Sequence, residues 1–255
     1  MSTTIAISGK GGSGKTTVSA MIVRHLAERA AGSILAVDAD PNACFGIALG
    51  LAAETTVADI RDETLERKLP GQTADRQRAF EYAVHRAVAE ARGFDLLVMG
   101  RPEGPKCYCA VNNLLRKYLD CATRDYAFVV VDNEAGMEHL SRRTTDAVDD
   151  LLVVAEPTAY GALTAERILG LAASLPIRVR RRHVLWNKVA PGAALPAAAA
   201  ALPTIGCVPL DDEVLQLSMR GGTIFELNAD NPALRAVGEM LRGPLGIRAE
   251  GKDES

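Results

Sequence analysis

The octet Gly9-Lys10-Gly11-Gly12-Ser13-Gly14-Lys15-Thr16 constrains this chain more than any other feature, because it requires a strand before it and a helix after it. It fits G-x-x-x-x-G-K-[ST], a pattern whose glycines let backbone N–H groups close around phosphate oxygens. Ile5-Ala6-Ile7 supplies the strand and residues 17–30 the helix, whose N-terminus adds the positive end of its dipole. Lys15 is then expected to bridge the β- and γ-phosphates of a nucleotide and Thr16 to offer its hydroxyl to Mg²⁺. Gly11, Gly12, Ser13, Gly14 and Thr17 complete the expected cradle.

Short β-rich runs alternate with helical patterns along the rest of the chain: residues 33–37, 94–99, 126–131, 151–154, 183–186 and 204–208 against 111–121, 161–174 and 232–242. Most of the strand-like runs are solidly apolar, as strands covered on both faces must be. The expected fold is therefore α/β, doubly wound, with a mainly parallel sheet and helices on both faces. Length and composition suit one such domain over residues 1–246, with a charged helical insertion at 54–92 lying outside the sheet and a polar tail at 247–255. The alanine run 197–201, bounded by prolines, reads as a short surface helix. A net charge of −3 argues against nucleic acid as an obligatory partner. No apolar run reaches the length of about 18 residues that a membrane span needs, so no membrane partner is expected and the cytoplasm is the expected compartment.

A second lysine, Lys10, lies inside the loop, and this Lys-Gly-Gly-x-Gly-Lys-Thr-Thr form resembles the deviant-Walker ATPases. That class includes nitrogenase iron protein, the partition and septum-site ATPases and several metal-site maturation factors. The resemblance implies that Lys10 reaches the nucleotide of a partner subunit, so that hydrolysis of ATP to ADP needs a homodimer. The second strand ends Asp38-Ala39-Asp40-Pro41, placing two carboxylates where water and Mg²⁺ are organised beside a P-loop. The resemblance makes Asp40 the residue that aligns water and Asp38 a support of the metal shell; the plainer alternative is that Asp40 caps a turn before Pro41. Asp132, at the end of an apolar strand, has the Walker B position and is expected to hold Mg²⁺ through water. Asn133-Glu134-Ala135-Gly136 matches the class's switch II, in which Gly136 approaches the γ-phosphate.

Asn187-Lys188-Val189-Ala190 begins like the guanine-reading Asn-Lys-x-Asp, but Ala190 replaces the aspartate. Adenine is therefore the expected base, with Asn187 pairing to its edge and the Val208-Pro209 segment packing on the ring, as in related ATPases.

The specific clue is Gly100-Arg-Pro-Glu-Gly-Pro-Lys-Cys107-Tyr-Cys109. Residues separated by one lie about 200° apart on a helix, so these side chains converge only on a turn or extended segment, which the preceding Gly and Pro residues favour. A downstream helix N-terminus with Lys106 and Arg101 nearby favours thiolates. Two thiolates per chain are half of a closed site of about four, so two facing loops of a dimer would hold one shared Ni²⁺ or Zn²⁺. Cys44, Cys121 and Cys207 read as structural. With the loop lysine and Asp132-Asn-Glu-Ala-Gly-Met-Glu-His-Leu-Ser-Arg-Arg-Thr144, this segment resembles the nickel-inserting accessory ATPases of carbon monoxide dehydrogenase, over nearly the whole chain. The resemblance implies nickel carried on Cys107 and Cys109 to a nickel-enzyme client, either carbon monoxide dehydrogenase or acetyl-CoA synthase. An iron–sulfur cluster on the same cysteines stays open. A partition-type DNA switch, using the basic run Arg178–His183 on phosphates, is the rival reading, and it leaves the cysteine pair without a purpose.

Overall fold

Apolar runs with both faces to bury form the sheet, and the computed structural model describes them within residues 2–29, 31–66, 84–101, 125–134, 147–175 and 177–247. Eight strands are described: β1 (Thr3–Gly9), β2 (Ile34–Ala39), β3 (Ala89–Ala91), β4 (Phe94–Val98), β5 (Phe128–Asn133), β6 (Ala147–Ala155), β7 (Arg178–Val189) and β8 (Thr204–Pro209). Their order is β3-β4-β2-β5-β1-β6-β7-β8. All neighbours are parallel except the β3–β4 hairpin at one edge. From β1 the chain crosses to β2 on one side, where β3, β4 and β5 also lie, and β6, β7 and β8 then fill the other. This switch of direction opens a crevice at the strands' C-terminal ends, where ligands of such sheets sit.

The helices are α1 (Lys15–Glu28), α2 (Cys44–Leu49), α3 (Val57–Glu66), α4 (Ala159–Ser174), α5 (Asp212–Met219) and α6 (Pro232–Arg242). Alternate residues of each strand feed two separate cores. Ile5, Ile7, Leu152 and Leu185 pack with α1 and α6, whereas Ala6, Val131, Val153 and Trp186 pack with α3 and α4. Trp186 is fully buried and donates from Nε1 to Thr204 Oγ1 at 3.0 Å. Truncating such a side chain to Ala costs about 3–5 kcal/mol.

Four of the described helices begin on side-chain caps, among them α3, where Thr56 Oγ1 accepts from Asp59 N at 3.2 Å. Thr158 accepts from Gly161 N at α4, Asp211 from Val214 N at α5, and Asn231 from Ala233 N and Leu234 N at α6, which also has proline in its first turn.

The expected strands are all present, and one expectation changes. The described residues of 54–92 do not lie wholly outside the sheet: 89–91 supply edge strand β3, and Val57, Ala58 and Ile60 are buried, because their apolar side chains complete one core. The basic run Arg178–His183 forms the first half of β7, paired with β6, while β8 joins β7 only from Val184 onward; Arg181 and His183 grip the buried Asp150 at 2.6 and 2.9 Å. Burial alone would raise the Asp150 pKa, but those two partners hold it below the ordinary carboxylate value. Ile247, next to the expected boundary, is buried, with its N–H on Leu241 O at 2.9 Å. The alanine run forms the short 3₁₀ turn Ala197–Ala201. Among the described residues no helix is long and apolar enough to cross a membrane.

Candidate functional site

Unlike its capped counterparts, α1 starts at Gly14 (φ 92°) with no side-chain cap and no acidic residue in its first turn. Its first N–H groups are therefore left for an external acceptor, which favours an anion at that point. Ser13 N closes the loop on Lys10 O at 3.2 Å, and Lys15 Nζ reaches the same carbonyl at 3.4 Å. The expected cradle residues Gly11, Gly12, Ser13, Gly14, Thr16 and Thr17 lie along this turn between β1 and α1.

On the β2–β5 side, strand register brings Asp38 directly opposite Asp132. Both are buried. Asp132 accepts from Thr16 Oγ1 at 2.7 Å and from Ser19 Oγ at 3.0 Å. Asp38 accepts from Phe45 N at 2.8 Å and Asp40 N at 3.2 Å. Burial pushes Asp38 up to about 7, against the N–H of Phe45, and the Asp132 charge adds to the rise. Burial likewise lifts Asp132 to about 6, with the Thr16 and Ser19 hydroxyls opposing. A hydroxyl and two crowded carboxylates form an all-oxygen donor set of the kind a hard divalent cation prefers. Asp40 is half-buried, and its Oδ1 accepts from both Asn42 N and Asn42 Nδ2 at 2.8 Å, so it also holds the turn after Pro41.

On the β6–β7 side, Asn187 Nδ2 donates to Ser13 O at 2.8 Å and Lys188 Nζ to Gly12 O at 2.6 Å. Lys188 also pairs with Glu156 at 2.8 Å. Gly14 leaves no room for a Cβ, which would collide with Asn187 Nδ2. Beyond Asn187 opens a cavity of about 190 Å³, mostly apolar, walled by Val18, Met21, Val208, Pro209 and Val214. Asn187 and Pro209, expected at the base, both line it. Lys10 is exposed and lines a cleft with Glu156 and Thr158 at the start of α4.

Gly136, Cys107 and Cys109 lie outside the described residues, as do the helix expected at 111–121 and Cys121. Cys44 and Cys207 are exposed free thiols rather than buried structural ones. Sequence reasoning missed Ser19, Glu156 and the hold of Lys188 on the P-loop. Ser19 had a signal: it lies one helical turn after Lys15 and bonds Lys15 O at 2.9 Å.

The fold and loop define a class, and the chain belongs to it: residues 4–224 match the CobQ/CobB/MinD/ParA nucleotide binding domain family. An ATP-binding protein of Methanocaldococcus jannaschii is 40% identical over 248 residues, covering 92% of this chain and 96% of its own. The carbon monoxide dehydrogenase accessory protein of Rhodospirillum rubrum is 31% identical over 259 residues, covering 94% of this chain and 95% of its own. In structure, the chain is similar to the MinD cell division protein of Aquifex aeolicus, with a TM-score of 0.71 at 22% identity over 99% of this chain and all of the other.

Proposed function

We propose that this chain is an Mg²⁺-dependent ATPase that works as a homodimer, carries nickel or zinc on Cys107 and Cys109, and assists nickel insertion into carbon monoxide dehydrogenase or acetyl-CoA synthase. The observation that carries the ATPase part is the convergence of Lys15, Thr16 and Asp132 at an uncapped helix start. In this reading Lys15 and the loop N–H groups take the β- and γ-phosphates and α1 adds its dipole. Thr16 and Asp132 would hold Mg²⁺, Asp132 through water, and Asp38 would support the metal shell. Asp40 aligns the attacking water, Gly136 follows the γ-phosphate, and Lys10 completes the partner subunit's site. Adenine enters the cavity beside Asn187 and Pro209. The client is supported by the likeness to the R. rubrum accessory protein along nearly the full length of both chains, together with the Cys-x-Cys sequence that a two-loop thiolate site needs.

Metal content and oligomeric state, measured on one sample without nucleotide, with ADP and with ATP, test the reading. The expected result is about one Ni²⁺ or Zn²⁺ per dimer. Replacing Cys107 and Cys109 with Ser is expected to remove that metal while ATP turnover persists. Metal retained at the same ratio in the double variant sinks the thiolate site, and a chain that never dimerises with ATP sinks the shared one.

A further inference from the structure

Side chains on a strand alternate between its faces, so Asn187 and Lys188 of β7 ought to point apart. They do not. Lys188 has a left-handed backbone (φ 60°), shared among described non-glycine residues only by Ala43. The β7–β8 register slips at the same place, between Trp186 and Val189. This break lets two successive side chains reach two successive carbonyls of one loop: Asn187 Nδ2 on Ser13 O at 2.8 Å and Lys188 Nζ on Gly12 O at 2.6 Å. The Lys188 ammonium also takes Glu156 Oε1 at 2.8 Å, at the end of β6. One cation thus ties together the P-loop, the β6–α4 turn and the end of β7.

In a trans peptide the C=O and N–H point opposite ways. Donors drawing the Gly12 and Ser13 carbonyls toward β7 therefore turn the N–H groups of Ser13 and Gly14 to the other side. On that side Ser13 N spans the loop to Lys10 O. A charged donor on a carbonyl also polarises its own peptide, making the N–H a stronger donor.

We propose that Lys188 is a positioning residue for phosphate binding: it braces the P-loop from behind, so the loop meets its ligand already shaped, and it makes its contribution without touching the base. This rests on the nucleotide-binding reading above. The side chain is 42% exposed, so its loss should not cost the fold. The decisive variant is Lys188→Gly, which removes the amine and at the same time suits the left-handed backbone. Calorimetric titration of the full chain with Mg-ADP and with inorganic tripolyphosphate, alongside thermal unfolding without ligand, reads the two effects separately. The expected result is an affinity about tenfold weaker for both ligands, as loss of one charged hydrogen bond gives, with a melting temperature unchanged or raised. Lys188→Arg should recover most of the affinity. Unchanged affinity overturns the brace. So does a loss seen with ADP but not with tripolyphosphate, since Lys188 would then be reading the nucleoside, and so does a melting temperature that drops in step with affinity, the mark of a merely structural residue. A wild-type chain that binds neither ligand overturns the nucleotide reading itself, and the brace with it.

Discussion

On the β6–β7 flank of the P-loop, Lys188 pairs with Glu156, and Asn187 and Lys188 satisfy two loop carbonyls. Across the loop, on the β2–β5 flank, Asp38 and Asp132 stand opposite each other and accept from N–H and hydroxyl donors, with the Lys15 charge acting on Asp132 against the rise from burial. Both flanks carry charge beside the same turn, yet the surroundings of their carboxylates differ. Glu156 is half-exposed and has an ammonium beside it, whereas the two aspartates are buried together and bind protons more tightly than usual. The comparison separates two kinds of work. A matched flank shapes the loop before any ligand arrives, and a flank of crowded buried carboxylates takes up protons more readily and favours a cation placed beside it.

The largest expected effect breaks the crowded flank. Asp132→Asn keeps the shape but removes the charge behind Thr16, and ATP turnover in a phosphate-release assay should fall about 100- to 1000-fold. The ligand-free chain should meanwhile become more stable, since a crowded buried charge is gone; a variant that is both active and less stable would erase the contrast.

The pH dependence of stability sharpens the same contrast. Folded Asp38 keeps its proton to about pH 7, while the unfolded residue loses it near the ordinary carboxyl value of 3.8. Between those values the folded chain binds the extra proton, so its stability falls as pH rises, by up to about 1.4 kcal/mol per pH unit. Asp132 and Asp40 face this group and push in the same direction by repelling its charge. His25, lowered to about 4 by burial and by Arg29 and Arg242, works the other way: its contribution is lost as pH falls from 6.5 toward 4. The clean measurement is therefore the difference between wild type and Asp38→Asn in denaturant unfolding from pH 4 to 8. Stability of the variant relative to wild type should grow with pH, and parallel curves would rule out the buried-acid account.

The smallest effect tests the matched flank. Asn187→Ala leaves Ser13 O without its donor, and a loss of about 1–2 kcal/mol in stability is expected, with affinity for Mg-ADP about tenfold weaker. Equal affinity in a fluorescence titration would show that the loop does not need this support.

Much of this was legible before any coordinates. Solid apolar runs identified seven of the strands because a strand buried on both sides has no polar face to confuse its pattern. Edge strand β3, Ala-Glu-Ala, escaped notice: three residues carry no period, and only pairing with β4 makes them a strand. The Asn187-Lys188 pair was visible as a motif and was read toward the base. Its grip on the loop depends on a left-handed residue and a register slip, neither of which leaves a mark in residue type.

The division follows from distance along the chain. Residues 9–16 form their turn from local preferences, since glycines permit the backbone and the adjoining strand and helix are its immediate neighbours; the sequence by itself determined the loop and the class of fold around it. Which side chains surround that loop is set by contacts spanning 116 residues, from Thr16 to Asp132, and 176, from Lys188 to Gly12. Such partners meet only through strand order and register, so tertiary structure alone decided that one flank would pair its charges and the other would crowd two buried carboxylates.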